Sequence, residues 1–332
     1  MPAHRGPEAD VKAAVGVVFR PDMGPERLPN VARSVDAAAV DELWLWEDCF
    51  QQGAVAQAAV ALASSQRVAV GVGVLPAPLR SVVAAAMEIA TLAQMFPGRV
   101  RVGIGHGVQS WMQQAGVAVA SPLTLLREYV MTLQDLLAGR EVSIAGRYVH
   151  LANVALDWVP AQPVPVFIGG AGPRTLRLAG EIADGVILDC QHTAATIREA
   201  LEHVAAGRAH RDRDVSTFTT VMYLACAPGP DAKARLSAEA AKWKLYSPND
   251  FGVGGSAEEI VAGSLPYRDA AVDTLVFQPV GDAADMDALV QALDGVERLR
   301  SAGGAGPPAR HSSPETSAGA VAHGASARQG PS

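Results

Sequence analysis

The chain has 332 residues, 49% hydrophobic and 18% charged, with a formal net charge of −7. That composition suits a large core and excludes a disordered chain, while the negative balance argues against a protein that tracks nucleic-acid phosphates. Three widely separated cysteines (Cys49, Cys190, Cys226) form no CxxC pair, so no disulfide framework or zinc site follows from them.

The opening stretch, MPAHRGPEADVKAA, lacks the apolar segment of a secretory signal. No long apolar stretch free of Gly and Pro is present to span a bilayer. The expectation is a reduced, cytoplasmic protein with no membrane partner. Residues 1–12 read as disordered. So do residues 301–332, where 24 of 32 are Ala, Gly, Ser or Pro and Val321 is the only large apolar residue. Such a tail cannot offset its ordering entropy by burial. The expected ordered domain is 13–300.

Within it, β-type runs alternate with helical patterns. The runs are AVGVVF (14–19), ELWLWE (42–47), RVAVGVGV (67–74), VRVGI (100–104), PVFIGG (165–170), GVILD (185–189), TTVMYLA (219–225) and DTLVFQP (273–279). Between the fourth and fifth, Leu126, Tyr129, Val130, Leu133, Leu136 and Leu137 fall at helical spacing and predict a helix over 122–138. EVSIAGRYVHL (141–151) reads as a hairpin turning at Ala145–Gly146. A further helix is predicted over 173–183, where Pro173 suits a first helical position. Eight runs with crossover helices predict an α/β fold, a (β/α)8 TIM barrel with an insertion after strand 4. Runs such as RVAVGVGV are apolar without alternation, as strands buried on both faces require. An open doubly wound sheet is the alternative.

Barrels build their sites at the C-terminal ends of the strands. Five stretches there are polar or glycine-rich. WLWEDCF (44–50) ends the second strand with Glu47, Asp48 and Cys49, of which one carboxylate is expected to face the mouth. GVGVLPAP (71–78) offers bare backbone to a close neighbour. GIGHGVQSW (103–111) sets Gly105, His106, Gly107 and Val108 after the fourth strand, yet lacks the third glycine and the acidic residue of a dinucleotide fingerprint. FIGGAGPRTL (167–176) places Gly170, Ala171, Gly172 and Pro173 at a helix N-terminus, which favours an anion. LDCQHTAAT (188–196) brings Asp189, Cys190 and His192 to the end of the sixth strand. The histidines are scattered, and no metal site is predicted.

RVAVGVGVLPAP, FPGRVRVGIGHG (96–107) and FIGGAGPRTLRLAGEIADGVIL (167–188), in that order and spacing, resemble the bacterial-luciferase-like superfamily of flavin and deazaflavin oxidoreductases. The likeness is closest to the branch of methylenetetrahydromethanopterin reductase and deazaflavin-dependent glucose-6-phosphate dehydrogenase. The resemblance implies coenzyme F420 as cofactor, with FMN as the alternative, bound at the strand ends. It further implies a cis peptide at Gly73–Val74 backing the ring, the Gly105–Val108 loop beside it, and a phosphate at Gly170–Pro173. Relatives often carry Asp-His where Asp48-Cys49 stands here, Glu where Val108 stands and Asn where Trp111 stands. Oxidation of glucose 6-phosphate is therefore not expected.

On that resemblance the expected activity is hydride transfer between F420 and a small organic substrate. Asp48 would bond the polar edge of the ring, His106 would handle the proton with His192 in reserve, and Trp111 would form an apolar wall. The competing expectations are an FMN-dependent monooxygenase fed by a partner reductase, and a non-catalytic flavin-binding protein. The family is often dimeric, which makes a homodimer the expected assembly.

Overall fold

The structure, a computed structural model, describes residues 13–211, 217–242, 251–281 and 286–302. Eight parallel strands close into a barrel: β1 (Ala14–Val18), β2 (Glu42–Leu45), β3 (Ala69–Pro76), β4 (Val100–Gly105), β7 (Val166–Gly169), β8 (Gly185–Leu188), β9 (Thr219–Pro228) and β11 (Thr274–Pro279). The pairings of β11 with β1 and of β8 with β9 complete the ring. An open doubly wound sheet is thereby ruled out. A short ninth strand, β10 (Val253–Gly255), pairs with β9 outside the ring and was not legible as a β-type run.

The crossover helices are α1 (Leu28–Ala37), α2 (Ala54–Ala63), α3 (Val82–Met95), α5 (Pro122–Leu137), α6 (Pro173–Ile182), α7 (Ala194–Arg208), α9 (Ala257–Arg268) and α10 (Met286–Ala302). α8 (Ala232–Lys242) precedes β10. The insertion after β4 is narrower than expected, because α5 is itself a regular crossover helix. What is added is α4 (Gln109–Gln114) and the hairpin of β5 (Val142–Ala145) with β6 (His150–Val154). The hairpin turns over Gly146–Val149, two residues longer than expected, since Ala145 pairs with His150. Glu128 of α5 holds that turn by accepting the N–H groups of Arg147, Tyr148 and Val149 at 2.8, 2.8 and 3.0 Å.

Two cores explain the unbroken apolar strands. Outside the barrel, one face of each strand packs on the helices, and the predicted stripe of α5 is buried there throughout. Inside, Val18, Trp44, Phe167, Ile187, Val221, Tyr223 and Val276 form a second cluster. Trp44 is fully buried in it, and its Nε1 donates to Glu42 at 2.8 Å. The glycines of β3 make that possible: a Cβ at Gly71 would sit 2.4 Å from the Trp44 ring. Alternating Gly and Val in the sequence thus reflects one wide aromatic ring filling a narrow barrel.

The expected disordered segments lie almost wholly outside the described residues. Ser301 and Ala302 are the exception, since α10 runs through them and past the expected boundary at residue 300.

Candidate active site at the barrel mouth

At the end of β2 the two carboxylates separate. Glu47 lines the mouth but spends its carboxylate on the helix side: it accepts the first amide of α2, from Ala54, at 3.1 Å and pairs with Arg80 at 2.9 Å. Asp48 turns to the mouth, where its Oδ2 accepts from Trp46 Nε1 at 2.8 Å. Burial raises the Asp48 pKa, the Trp46 bond offsets part of that, and Asp22 adds to it. The Cys49 thiol is also pushed up, first by burial and then by Glu47 and Asp48, so it stays protonated near neutrality.

The end of β3 carries the other anchor of the site. The Gly73–Val74 peptide is cis, and the β3–β4 register shifts between Gly73 and Leu75. A second non-proline cis peptide joins Cys49 to Phe50. Both carbonyls of the Gly73–Val74 pair are held. Tyr223 donates its hydroxyl to Gly73 O at 2.9 Å from across the barrel, and the Glu47 amide donates to Val74 O at 3.3 Å. Val74 lies over Gly103, Gly105 and Gly169, where any Cβ would strike its methyls or those of Ile187.

These residues border a cavity of about 240 Å³, lined by Trp46, Glu47, Asp48, Gly73 and Val74 together with Asp189, Cys190, Tyr223 and Gln278. A second cavity of about 200 Å³ shares Trp46, Asp48 and Gln278 and extends to Arg20, Cys49 and Trp111. Trp111 lines this second cavity. Arg20 acts as a strap: it donates to Pro279 O at 3.0 Å and Gly281 O at 3.2 Å and pairs with Asp22, which ties β1 to the end of β11.

The remaining predicted residues are not among those lining either cavity. His106 is half-buried at the end of β4, with Nδ1 2.9 Å from Gly107 O. A carbonyl partner requires the proton on Nδ1, which leaves Nε2 of the neutral ring as an acceptor. Gly105 lies beneath Val74, and Val108 is 47% exposed at the start of α4. Gly170, Ala171, Gly172 and Pro173 form the β7–α6 loop, exposed from Ala171 onward. No side chain caps α6 there, and a Cβ at Gly172 would meet nothing within 4 Å. His192 lies beyond β8 with Nδ1 3.1 Å from Asp189 Oδ1. Burial opposes its charged form, but the Asp189 hydrogen bond and charge outweigh that and raise its pKa.

Sequence reasoning missed Trp46, Tyr223, Gln278 and Arg20. Gln278 and Arg20 stood in plain view as polar residues closing the last and first strand runs. Tyr223 carried a weaker signal, a hydroxyl within an otherwise apolar strand. Among the described residues no group of three or more His, Cys, Asp or Glu side chains could hold a metal, and no helix is long and apolar enough to cross a membrane.

A family model described as luciferase-like monooxygenase matches residues 2–309. A 5,10-methylenetetrahydromethanopterin reductase from Methanolobus tindarius is 25% identical over 225 residues, covering 68% of each chain. An F420-dependent glucose-6-phosphate dehydrogenase from Beutenbergia cavernae is 32% identical over 224 residues, 64% of this chain and 65% of the relative. In fold, the chain is similar to an F420-dependent secondary alcohol dehydrogenase solved with an F420–acetone adduct. That match has a TM-score of 0.76 at 20% identity, covering 86% of this chain and 98% of the other.

Proposed function

The chain belongs to the luciferase-like monooxygenase family of oxidoreductases, and from that premise we propose that it transfers hydride between coenzyme F420 and a small organic substrate. The single observation behind this reading is the cavity bounded by Trp46, Asp48, Gly73 and Val74 at the C-terminal ends of the strands. F420 is favoured over FMN because the relatives at 25% and 32% identity include a protein named as F420-dependent.

The residues present fit such a cofactor. The mouth offers an aromatic and aliphatic surface for a flat ring, carboxylate acceptors that include Asp48 for its polar edge, and, beyond the cavity, an uncapped helix start for a phosphate. When bound, the deazaflavin supplies the hydride donor or acceptor. Asp48, whose Oδ2 already accepts from Trp46, would offer its other oxygen to the polar edge of the ring. Val74 would back the ring, and Ala171, Gly172 and Pro173 would hold the phosphate. His106, with His192 in reserve, holds Nδ1 in a local hydrogen bond, so Nε2 would be the atom that exchanges a proton with the substrate. Trp111 and Trp46 exclude water from the substrate side.

The absence of histidine at Cys49 and of a carboxylate at Val108 points away from glucose 6-phosphate as substrate. We place the enzyme in the cytoplasm, where its three separate cysteines stay reduced. We also assign it a homodimer, as is common in this family.

A titration of the purified protein with F420 and with FMN, followed by fluorescence, tests this. Tight F420 binding followed by reduction of the bound deazaflavin with an alcohol, or its reoxidation by an alkene or imine, is the expected result. Preference for FMN with oxygen consumption would instead make the protein a monooxygenase served by a partner reductase. Binding of neither would refute the cofactor assignment.

A further inference from the structure

We propose that Tyr223 is a positioning residue: its hydroxyl fixes the Gly73 carbonyl and so sets Val74 as the floor of the cofactor cavity. This rests on the proposed cofactor site and adds a residue to it from the far side of the barrel.

Three observations carry the inference. First, the contact spans the barrel. Tyr223 sits in β9 and Gly73 in β3, 150 positions apart in sequence, and the 2.9 Å hydrogen bond between them is buried. β3 pairs with β2 and β4, whereas β9 pairs with β8, β10 and β11. No backbone ladder therefore joins the two strands, and the hydroxyl is a direct polar tie between them.

Second, the ring is fixed before it donates. Trp44 meets it edge-on with ring centroids 5.9 Å apart, and Trp46 lies against it at 6.0 Å. A ring held by two tryptophans has little freedom to turn its hydroxyl elsewhere. Burial drives its pKa well above the usual value, so the proton stays on the oxygen as a donor.

Third, what it fixes is the segment the cavity depends on. Gly73, Val74 and Tyr223 all line the cavity. Val74 is trapped from below by the glycines of β4 and β7. Its own carbonyl is held by Glu47 at the longer distance of 3.3 Å. Without the Tyr223 hydroxyl, the buried Gly73 carbonyl would lose this donor, and a buried carbonyl short of a donor re-orients toward water. Gly73 borders the cavity, so solvent would reach it from there and the floor would shift into the space meant for the ring.

The test is Tyr223→Phe, which keeps the ring and removes only the donor. Val221→Ala, in the same interior cluster, is the control for a general loss of packing. Two readouts are made on the full chain. Hydrogen exchange of ligand-free protein is measured over residues 69–76, and affinity for F420 and FMN is measured by fluorescence titration. The expected result for Tyr223→Phe is exchange accelerated at least tenfold within 72–75 and cofactor affinity lowered at least tenfold. Val221→Ala should show a lower melting temperature without that local exchange signature. Unchanged exchange in Tyr223→Phe overturns the proposal, as does faster exchange with unchanged affinity, which would leave Tyr223 a purely structural residue. Failure of the parent protein to bind either cofactor would refute the cofactor reading itself. The exchange data on ligand-free protein would then decide separately whether Tyr223 holds Gly73.

Discussion

Val74 occupies the space left by the missing side chain of Gly169: a Cβ there would lie 2.4 Å from Val74 Cγ1. The same holds at Gly105, where a Cβ would approach Val74 Cγ2 to 2.7 Å. A β-branched side chain has few rotamers to escape into, so an added methyl must displace it or the strand beneath. Gly169→Ala is expected to destabilise the fold by about 1–3 kcal/mol, the usual cost of overpacking. Combining it with Val74→Ala should recover most of the loss, because the clash is then absent. Urea denaturation of the two variants checks this. A single variant as stable as the parent would show that Val74 does not rest on that glycine.

The barrel was legible because its signals are local and repeated. Each run of Val, Ile and Leu needed only its neighbours to declare a strand, and eight such runs separated by helical patterns implied closure. β10 escaped because Val253–Gly255 is three residues long and mostly glycine. Asp48, read from its place at a strand end, lines the cavity, and so do Gly73 and Val74, which came from the family resemblance and not from the residues alone. The site was not legible where a residue reaches the mouth from the middle of a strand. Nothing local marks Tyr223 as the partner of Gly73, since that contact exists only once the barrel is closed. His106 shows the converse: a sequence position beside glycines placed it near the mouth, but its Nδ1 is turned back on its own loop.

The contact between α6 and α7 depends on two glycines inside helices. A Cβ at Gly180 would fall 2.0 Å from the Val204 carbonyl oxygen, and one at Gly207 would fall 1.9 Å from that of Arg177. Backbone cannot yield as a side chain does. In a solvated helix, Gly→Ala stabilises by about 1 kcal/mol. Here the sign is expected to reverse, with Gly180→Ala and Gly207→Ala each lowering the melting temperature. A raised melting temperature in either variant would show that the helices do not cross this closely.

Asp189 and His192 give the fold a pH-dependent element. The His192 pKa is raised despite burial by the hydrogen bond and charge of Asp189. A histidine with a raised pKa contributes stability that is complete below its unfolded value, about 6.5, and is lost as pH rises through the higher folded value. Asp189→Asn should therefore be less stable than the parent under mildly acidic conditions and approach it on the alkaline side. Thermal melts across that range measure the difference, and an NMR titration of His192 should show its pKa falling in the variant. A stability difference that grows with pH would contradict the pairing.

Asp48 is expected to trade stability for binding. Burial raises its folded pKa, with the Trp46 bond opposing and Asp22 assisting. For an acid the raised value means that the protonated form is the better tolerated one. Its contribution is complete below the unfolded pKa and lost as pH climbs through the folded one, so at neutral pH the carboxylate costs the fold. Asp48→Asn keeps an oxygen for Trp46 and never ionises. The variant should be more stable than the parent at pH 7, with the advantage shrinking as the pH falls toward 4. The same change removes a charged acceptor from the mouth. Affinity for the deazaflavin should then fall about tenfold, the scale of one charge-assisted hydrogen bond. Denaturation curves at two pH values and one fluorescence titration read both effects. A variant that gains stability and still binds the cofactor as the parent does would remove Asp48 from the binding site.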